Sequence, residues 1–340
     1  MANKRIYYAT QSVQLQPVKA ETGGTFTLGT YVSPKGLQSV GMTTNFNLTQ
    51  LFELGQQDLY DNVEGVPEVE VTLQKTLDGT MPLYLLCMGG TNGGGSGGSI
   101  GSLANNRVNF KLGIFDDTKT AAEGATSTAV ECTGMYLSSI GYTFPLDGFS
   151  TEDVTLVGNS KKWTASMTGG FNESTPQTAK TAIRRLNVNI AGSTIPGDIP
   201  NPAGGGSPHF QSINVKANLG REAINELGKM APYCRYVKFP LEITSEFVIT
   251  ATDGDKVTAD DMISYGACSA FKNLTDRQIT IAVCGSGTGD TMSINLGPKN
   301  KLTSVNYTGG DTGGGNAQVT YSYQTFNSLT VTVAGSFASV

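Results

Sequence analysis

One histidine, one tryptophan and a charged fraction of 15% are what this sequence of 340 residues has least of, and each shortage removes a class of function. The histidine, His209, sits in a Gly/Ser/Pro-rich junction. A serine or cysteine nucleophile normally needs a positioned base, usually histidine, so the chain is read as a non-enzyme with no catalytic residues. Lysine and arginine (23) are outnumbered by aspartate and glutamate (28), for a net charge of −5. The basic surplus that tight phosphate binding needs is missing. The five cysteines (Cys87, Cys132, Cys234, Cys268, Cys284) are odd in number and hold no C-x-x-C pair. That pattern argues against zinc and a disulfide framework, and for thiols in a reducing compartment. No run approaches a membrane span, and the start MANKRIYYATQ has no apolar signal core, so the expectation is a protein made and assembled in a cytosol.

Glycine (43 residues), serine and threonine are plentiful instead, a composition of β-structure with long loops. Gly89 to Gly101 (GGTNGGGSGGSIG) lacks the Gly-Lys-Ser/Thr ending of a phosphate cradle and reads as a loop tip. Gly309 to Gly315 reads as a hairpin turn. Asp253-Gly-Asp255 with Asp260-Asp261 gathers carboxylates, but its glycine sits second where a calcium loop needs it sixth. No metal or cofactor is expected.

The organising stretch runs from Gln38 to Gly79. Val40, Met42, Phe46 and Leu48 fall on one face of its first flank. On the second flank Val69, Val71 and Leu73 alternate with Glu68, Glu70, Thr72 and Gln74. Period two puts one face on a core and the other in water. The stretch recurs at Gln211 to Gly254. Glu53-Leu-Gly55 falls on Glu226-Leu-Gly228 and Pro67 on Pro240 at one offset of 173 (211 − 38), with two residues inserted after the proline. A second block, Leu137 to Thr143, lies over Leu302 to Thr308 at an offset of 165 (302 − 137), which also brings Val154-Thr155 onto Val319-Thr320. Ordered matches in both halves predict two copies of one domain.

The expected organisation is a mixed arm over 1–30, a first domain over 31–165, a linker over 166–208 and a second domain over 209–340. Met81 to Cys87 and Arg221 to Met230 are read as short helices, the latter from Ile224, Leu227 and Gly228. Strands are expected at Val108 to Ile114, Met135 to Thr143 and Val154 to Trp163, the last two split by the turn Pro145 to Gly148. Ile183, Leu186, Val188 and Ile190 form one possible linker strand. In the second domain Leu241, Ile243, Phe247 and Ile249 alternate with Glu242, Thr244, Glu246 and Thr250, and strands follow at Ile279 to Val283, Leu302 to Tyr307, Val319 to Tyr323 and Leu329 to Val333.

The ELG excursion, the P-x-V-x-V-T strand closed by Asp78-Gly79, and YLSSIGYTFPLDGFSTEDVTLVGN resemble the major tail tube proteins of tailed bacteriophages. The likeness covers residues 36–163 well and 209–334 less closely. It implies an all-β fold of two tandem tail-tube-type β-sandwich or barrel domains, each with a long β-hairpin and a short helix. It also implies a homo-oligomer in which three chains make a pseudo-hexameric ring, rings stack into a tube in the virion tail, and DNA passes without specific binding. Further partners would be tape measure, terminator, baseplate or sheath proteins, with no membrane. In such a tube Glu68, Glu70, Gln74, Glu242 and Glu246 would face the lumen, and Val69, Val71, Leu73, Leu241, Ile243 and Phe247 would form the hairpin core face between subunits. A tail hub with duplicated tube domains is an alternative. A glycan-binding β-sandwich is another, for which a single tryptophan, Trp163, is a thin supply of aromatic platforms.

Overall fold

The computed structural model describes residues 5–20, 26–89, 99–116, 128–165, 171, 181–190, 199, 208–252, 254, 255, 257, 276–285, 287, 289–310, 312 and 315–338. Among these the chain is nearly all β. Its first half holds β1 (Gln11–Ala20), β2 (Phe26–Leu28), β3 (Leu37–Asn45), β4 (Leu48–Phe52), β5 (Leu59–Glu64) and β6 (Glu68–Thr76). Two short helices follow, α1 (Leu83–Met88) and α2 (Ile100–Leu103), then β7 (Arg107–Ile114), β8 (Thr128–Pro145), β9 (Thr151–Gly158) and β10 (Lys162–Thr164). The second half holds β11 (Val188–Asn189), β12 (Phe210–Asn218), β13 (Arg221–Ile224), β14 (Cys234–Val237) and β15 (Glu242–Thr250). It ends with β16 (Thr280–Cys284), β17 (Thr291–Asn295), β18 (Lys301–Thr308), β19 (Gln318–Phe326) and β20 (Thr330–Ala334).

An antiparallel path of strands, β3-β6-β9-β8-β12-β15-β19-β18, runs through both halves. Its alternation is the cause of its layering. Val69, Val71 and Leu73 of β6, with Ile243, Phe247 and Ile249 of β15, turn to one side and are buried there. Each such side chain contributes about 1.5–3 kcal/mol relative to exposure. Two further sheets belong to the same core: β2-β1-β7-β8-β10 in the first half and β11-β16-β17-β20 in the second. Helix α1, every residue of which is buried, packs against β1.

Strand β8 serves both layers of the first half. Its early residues pair with β7 and β10, its later ones with β9 and β12. The passage is made near Gly134, at φ +65, beside a register shift opposite Val108–Phe110. A bulge with a glycine in the left-handed region bends a strand without breaking it. In the second half the corresponding passage is divided between β17 and β18. The gap is closed by the Asn300 side chain, which donates to the carbonyls of Arg277 (2.9 Å) and Gly297 (2.7 Å).

The two halves share their order of pairing. β3-β6-β9-β8 is matched by β12-β15-β19-β18, and β1-β7-β8-β10 by β11-β16-β17-β20. Bulges recur as well: between Leu37 and Ser39 against Phe210 and Ser212, and between Leu137 and Ser139 against Leu302 and Ser304. The projecting hairpins agree over four pairs, beyond which β4–β5 adds Phe52↔Leu59 after a bulge. Leu48↔Glu64 and Leu51↔Asp61 of β4–β5 correspond to Arg221↔Val237 and Ile224↔Cys234 of β13–β14.

Several expectations need correction. Arg221 to Met230 is no helix; β13 opens a hairpin whose tip turns at Gly228, φ +84. Phe46 and Leu48 are exposed rather than on the core face, because Asn47 at φ +47 interrupts the alternation between β3 and β4. Register splits the insertion after Pro240, one residue on each side of β15, and places Val154 with Tyr321 rather than Val319, since Leu73 pairs with Val154 and Phe247 with Tyr321. Of the possible linker strand only Val188–Asn189 forms; Ile183 is buried and Leu186 exposed. The segment expected as an arm carries β1, which pairs with β7 over eight residues. The glycine-rich loop and the Asp260-Asp261 pair lie largely or wholly outside the described residues, although Ile100 at the loop's end is buried in α2.

Candidate functional site

The face of the long sheet opposite the core is mostly polar, with Val157, Val248 and Phe326 interspersed. β3 contributes Ser39, Thr43 and Asn45, and β6 contributes Glu68, Glu70, Thr72 and Gln74. Asp153 and Thr155 follow on β9, then Ser139 and Thr143 on β8, and Asn214, Lys216 and Asn218 on β12. β15 adds Glu242, Thr244 and Glu246; β19 adds Thr320, Ser322 and Gln324; β18 adds Ser304 and Asn306. Charge on this face is acidic apart from Lys216 and Lys301, the latter opposite Gln324. Its middle is hollowed into an open groove of about 430 Å³ between Gly141, Asp153, Lys216 and Glu242. The acidic side chains are tied by amides: Gln74 donates to Asp153 (2.9 Å) and Gln324 to Glu242 (2.8 Å). Small polar residues and carboxylates outnumber the two lysines of this face, a balance that does not favour phosphate.

The sequence-predicted residues divide between the two faces of the sheet. Glu68, Glu70, Gln74, Glu242 and Glu246 are on the polar face; Val69, Val71, Leu73, Leu241, Ile243 and Phe247 are buried on the other. Glu68 differs from the rest. It receives a bond at 2.9 Å from Arg235, a residue of the second hairpin, whose guanidinium also donates to Asn159 (3.2 Å).

That ion pair belongs to the seam where the halves meet. β8 pairs with β12 from Ser139↔Asn218 to Pro145↔Ser212. Beside it the Arg221 guanidinium donates to the Leu137 carbonyl (2.7 Å) and lies 5.0 Å from the Tyr136 ring. Burial lowers the Arg221 pKa to about 10. The Tyr136 hydroxyl is 3.3 Å from the Cys234 thiol, and burial raises its pKa to about 12. These contacts join residues about 80 to 170 positions apart, so no local period in the sequence announces them.

A second polar cluster was not anticipated. Glu152 is buried and accepts from the backbone N–H of Leu83 (2.6 Å) and Tyr84 (2.9 Å) and from the Tyr142 hydroxyl (2.9 Å). It thereby satisfies the first amides of α1, which otherwise have no partner. Lys75, its cross-strand neighbour, is buried too and donates to Thr80 and the Met81 carbonyl, both at 2.7 Å. Burial pushes the Glu152 carboxyl up and the Lys75 ammonium down. The matching positions in the second half are Ile249 and Val319, both apolar. The cluster therefore anchors one helix in one half.

His209 is exposed, with its carbonyl bonded to the Thr250 amide. Compared with known proteins, the chain matches no family model and no curated protein sequence.

Proposed function

We propose that the chain is a structural subunit of a phage-type tail tube, built from two copies of one domain and assembling with itself into rings that stack and conduct DNA. One observation carries this reading: the two halves have the same strand order and join edge to edge through β8 and β12. The long sheet therefore ends in two edges, β3 and β18, that stand where β12 and β8 stand in the internal seam. Open edges seek pairing, and repeating one junction around a closed ring removes them all.

The resemblance to tube proteins supplies the number. Six domain positions filled two at a time need three chains. With eight strands from each chain, a strand spacing of about 4.8 Å and a tilt of about 40°, the inner wall has a backbone diameter near ~45–50 Å. That bore is wider than duplex DNA. The polar face lines it, and its acidic residues repel phosphate weakly across screened water. A basic lining would instead hold DNA by counterion release.

Negative-stain class averages and native mass measurement of the assembled protein test the reading. Hollow rings of three chains are expected. Rings of six chains would remove the pseudo-hexamer, and a protein that stays monomeric at high concentration would remove the tube.

A further inference from the structure

The internal seam is a template for the seam between chains, and the free edges carry its unfilled positions. Leu219, directly after β12, has 0% of its surface exposed because the first half covers it; Phe46, at the same place after β3, is 62% exposed. Tyr142 of β8 is 1% exposed, bonded to Glu152 and alongside Val215 of β12; Tyr307, at the same place on β18, is 50% exposed. An apolar side chain buried at one seam and bare at its counterpart marks surface that a second chain covers. The bulges fix the correspondence, since Leu37–Ser39 matches Phe210–Ser212 and Leu137–Ser139 matches Leu302–Ser304.

Resting on the tube reading, we infer that β18 of one chain pairs antiparallel with β3 of the next in a single register, Ser304 opposite the partner's Asn45 and Asn306 opposite the partner's Thr43. This transfers the observed Ser139↔Asn218 and Gly141↔Lys216 pairs. The occupant is a second copy of this chain. It brings the partner's Phe46 over β18 and sets the partner's Met42 opposite Tyr307, as Val215 stands opposite Tyr142.

The chemistry of the two seams differs. Leu48 stands where Arg221 stands, and Asn62 where Arg235 stands, so the seam between chains has no arginine clamp. Where Tyr136 meets Cys234 internally, the transfer places Lys301 beside the partner's Asp61. Lys301 already touches Asp276 at 3.2 Å in a half-exposed pair, so the partner's carboxylate joins an existing salt bridge. The seam within a chain is thus welded by the half-buried Arg221 and the buried Arg235, and the seam between chains is closed by apolar cover and a screened ion pair.

Cysteine cross-linking of assembled full-length protein tests the register. Thr43→Cys with Asn306→Cys is compared with Thr43→Cys paired with Ser304→Cys or Thr308→Cys, and the parent protein gives the background of native thiols. Directly opposite residues lie within disulfide reach, while diagonal ones at about 7–8 Å do not. Asn218→Cys with Ser139→Cys is the control inside the chain. The expected result is covalent joining of chains by the Thr43/Asn306 pair and loss of that product in both offset pairs. Visible rings with joining strongest in an offset pair, or absent from all three, would overturn the register and leave the tube standing. Native protein that forms no rings before oxidation would overturn both.

Discussion

Leu219 and Phe46 occupy the same place in two matching strand-to-hairpin connections, and only Leu219 is covered. The pair separates folding from assembly. Leu219→Ser removes a fully buried side chain and should destabilise the monomer by about 2–5 kcal/mol. Phe46→Ser alters an exposed position and should stay within about 0.5 kcal/mol of the parent. Urea unfolding of the monomer measures both. The order should reverse in a ring-formation assay, where Phe46→Ser loses assembly although its monomer is sound.

The proposed contact between Lys301 and the partner's Asp61 makes a charge-swap experiment decisive. Asp61→Lys and Lys301→Glu should each lower the fraction of protein in rings, and the double variant should recover part of it. The penalty should shrink as salt is raised, because exposed charges are screened over about 8–10 Å at ordinary ionic strength. Sedimentation velocity across a salt series would show it. Single variants that assemble like the parent would place Asp61 elsewhere.

Glu152 should matter to stability and not to assembly. Glu152→Ala leaves two helix amides and a tyrosine hydroxyl without their acceptor, at about 1–3 kcal/mol for each buried donor. The sign of its pH dependence follows from burial. The folded carboxyl holds its proton to higher pH than the unfolded one, so its contribution is full below the unfolded pKa and declines as pH rises through the folded value. Lys75, shifted down by burial, acts in the opposite direction, its penalty growing as pH falls from the unfolded value to the folded one. Urea midpoints from acid to neutral pH should therefore fall less in Glu152→Gln than in the parent.

The polar face should tolerate loss of charge and respond to its reversal. Glu70→Gln, Glu242→Gln and Glu246→Gln together should assemble normally. Lysines at the same three positions should make tubes retain DNA, with release as salt rises at a log–log slope near −0.9 per phosphate contacted. Glu68 is left out because its bond to Arg235 makes it part of the seam. Equal DNA retention by the glutamine and lysine tubes would remove this face from the DNA path.

Much of the architecture was legible because β6 and β15 bury one face only, which prints period two directly into Val69-Val71-Leu73 and Ile243-Phe247-Ile249. The hairpins were less so. Ile224, Leu227 and Gly228 have helical spacing, yet cross-strand bonds from Ile224 to Cys234 decide the structure. Phe46 and Leu48 continue an apolar pattern past a residue, Asn47, whose left-handed backbone turns them outward. The seam escaped the sequence because its bonds, such as Arg221 to Leu137, are between residues with no local relation. Glu152 escaped because a glutamate in Ser-Thr-Glu-Asp looks like surface, and only α1, arriving from 68 residues away, makes it interior.

Strand β8 has a mechanical consequence. In the first half one unbroken strand of 18 residues runs from the sheet of β1 and β7 into the long sheet, so a load applied to one reaches the other along covalent backbone. In the second half the same route crosses a joint between β17 and β18, held by the Asn300 side chain. A wall built from three such chains alternates rigid staves with hinged ones. In the proposed tube, bending would concentrate at the jointed staves while the continuous ones held the bore open.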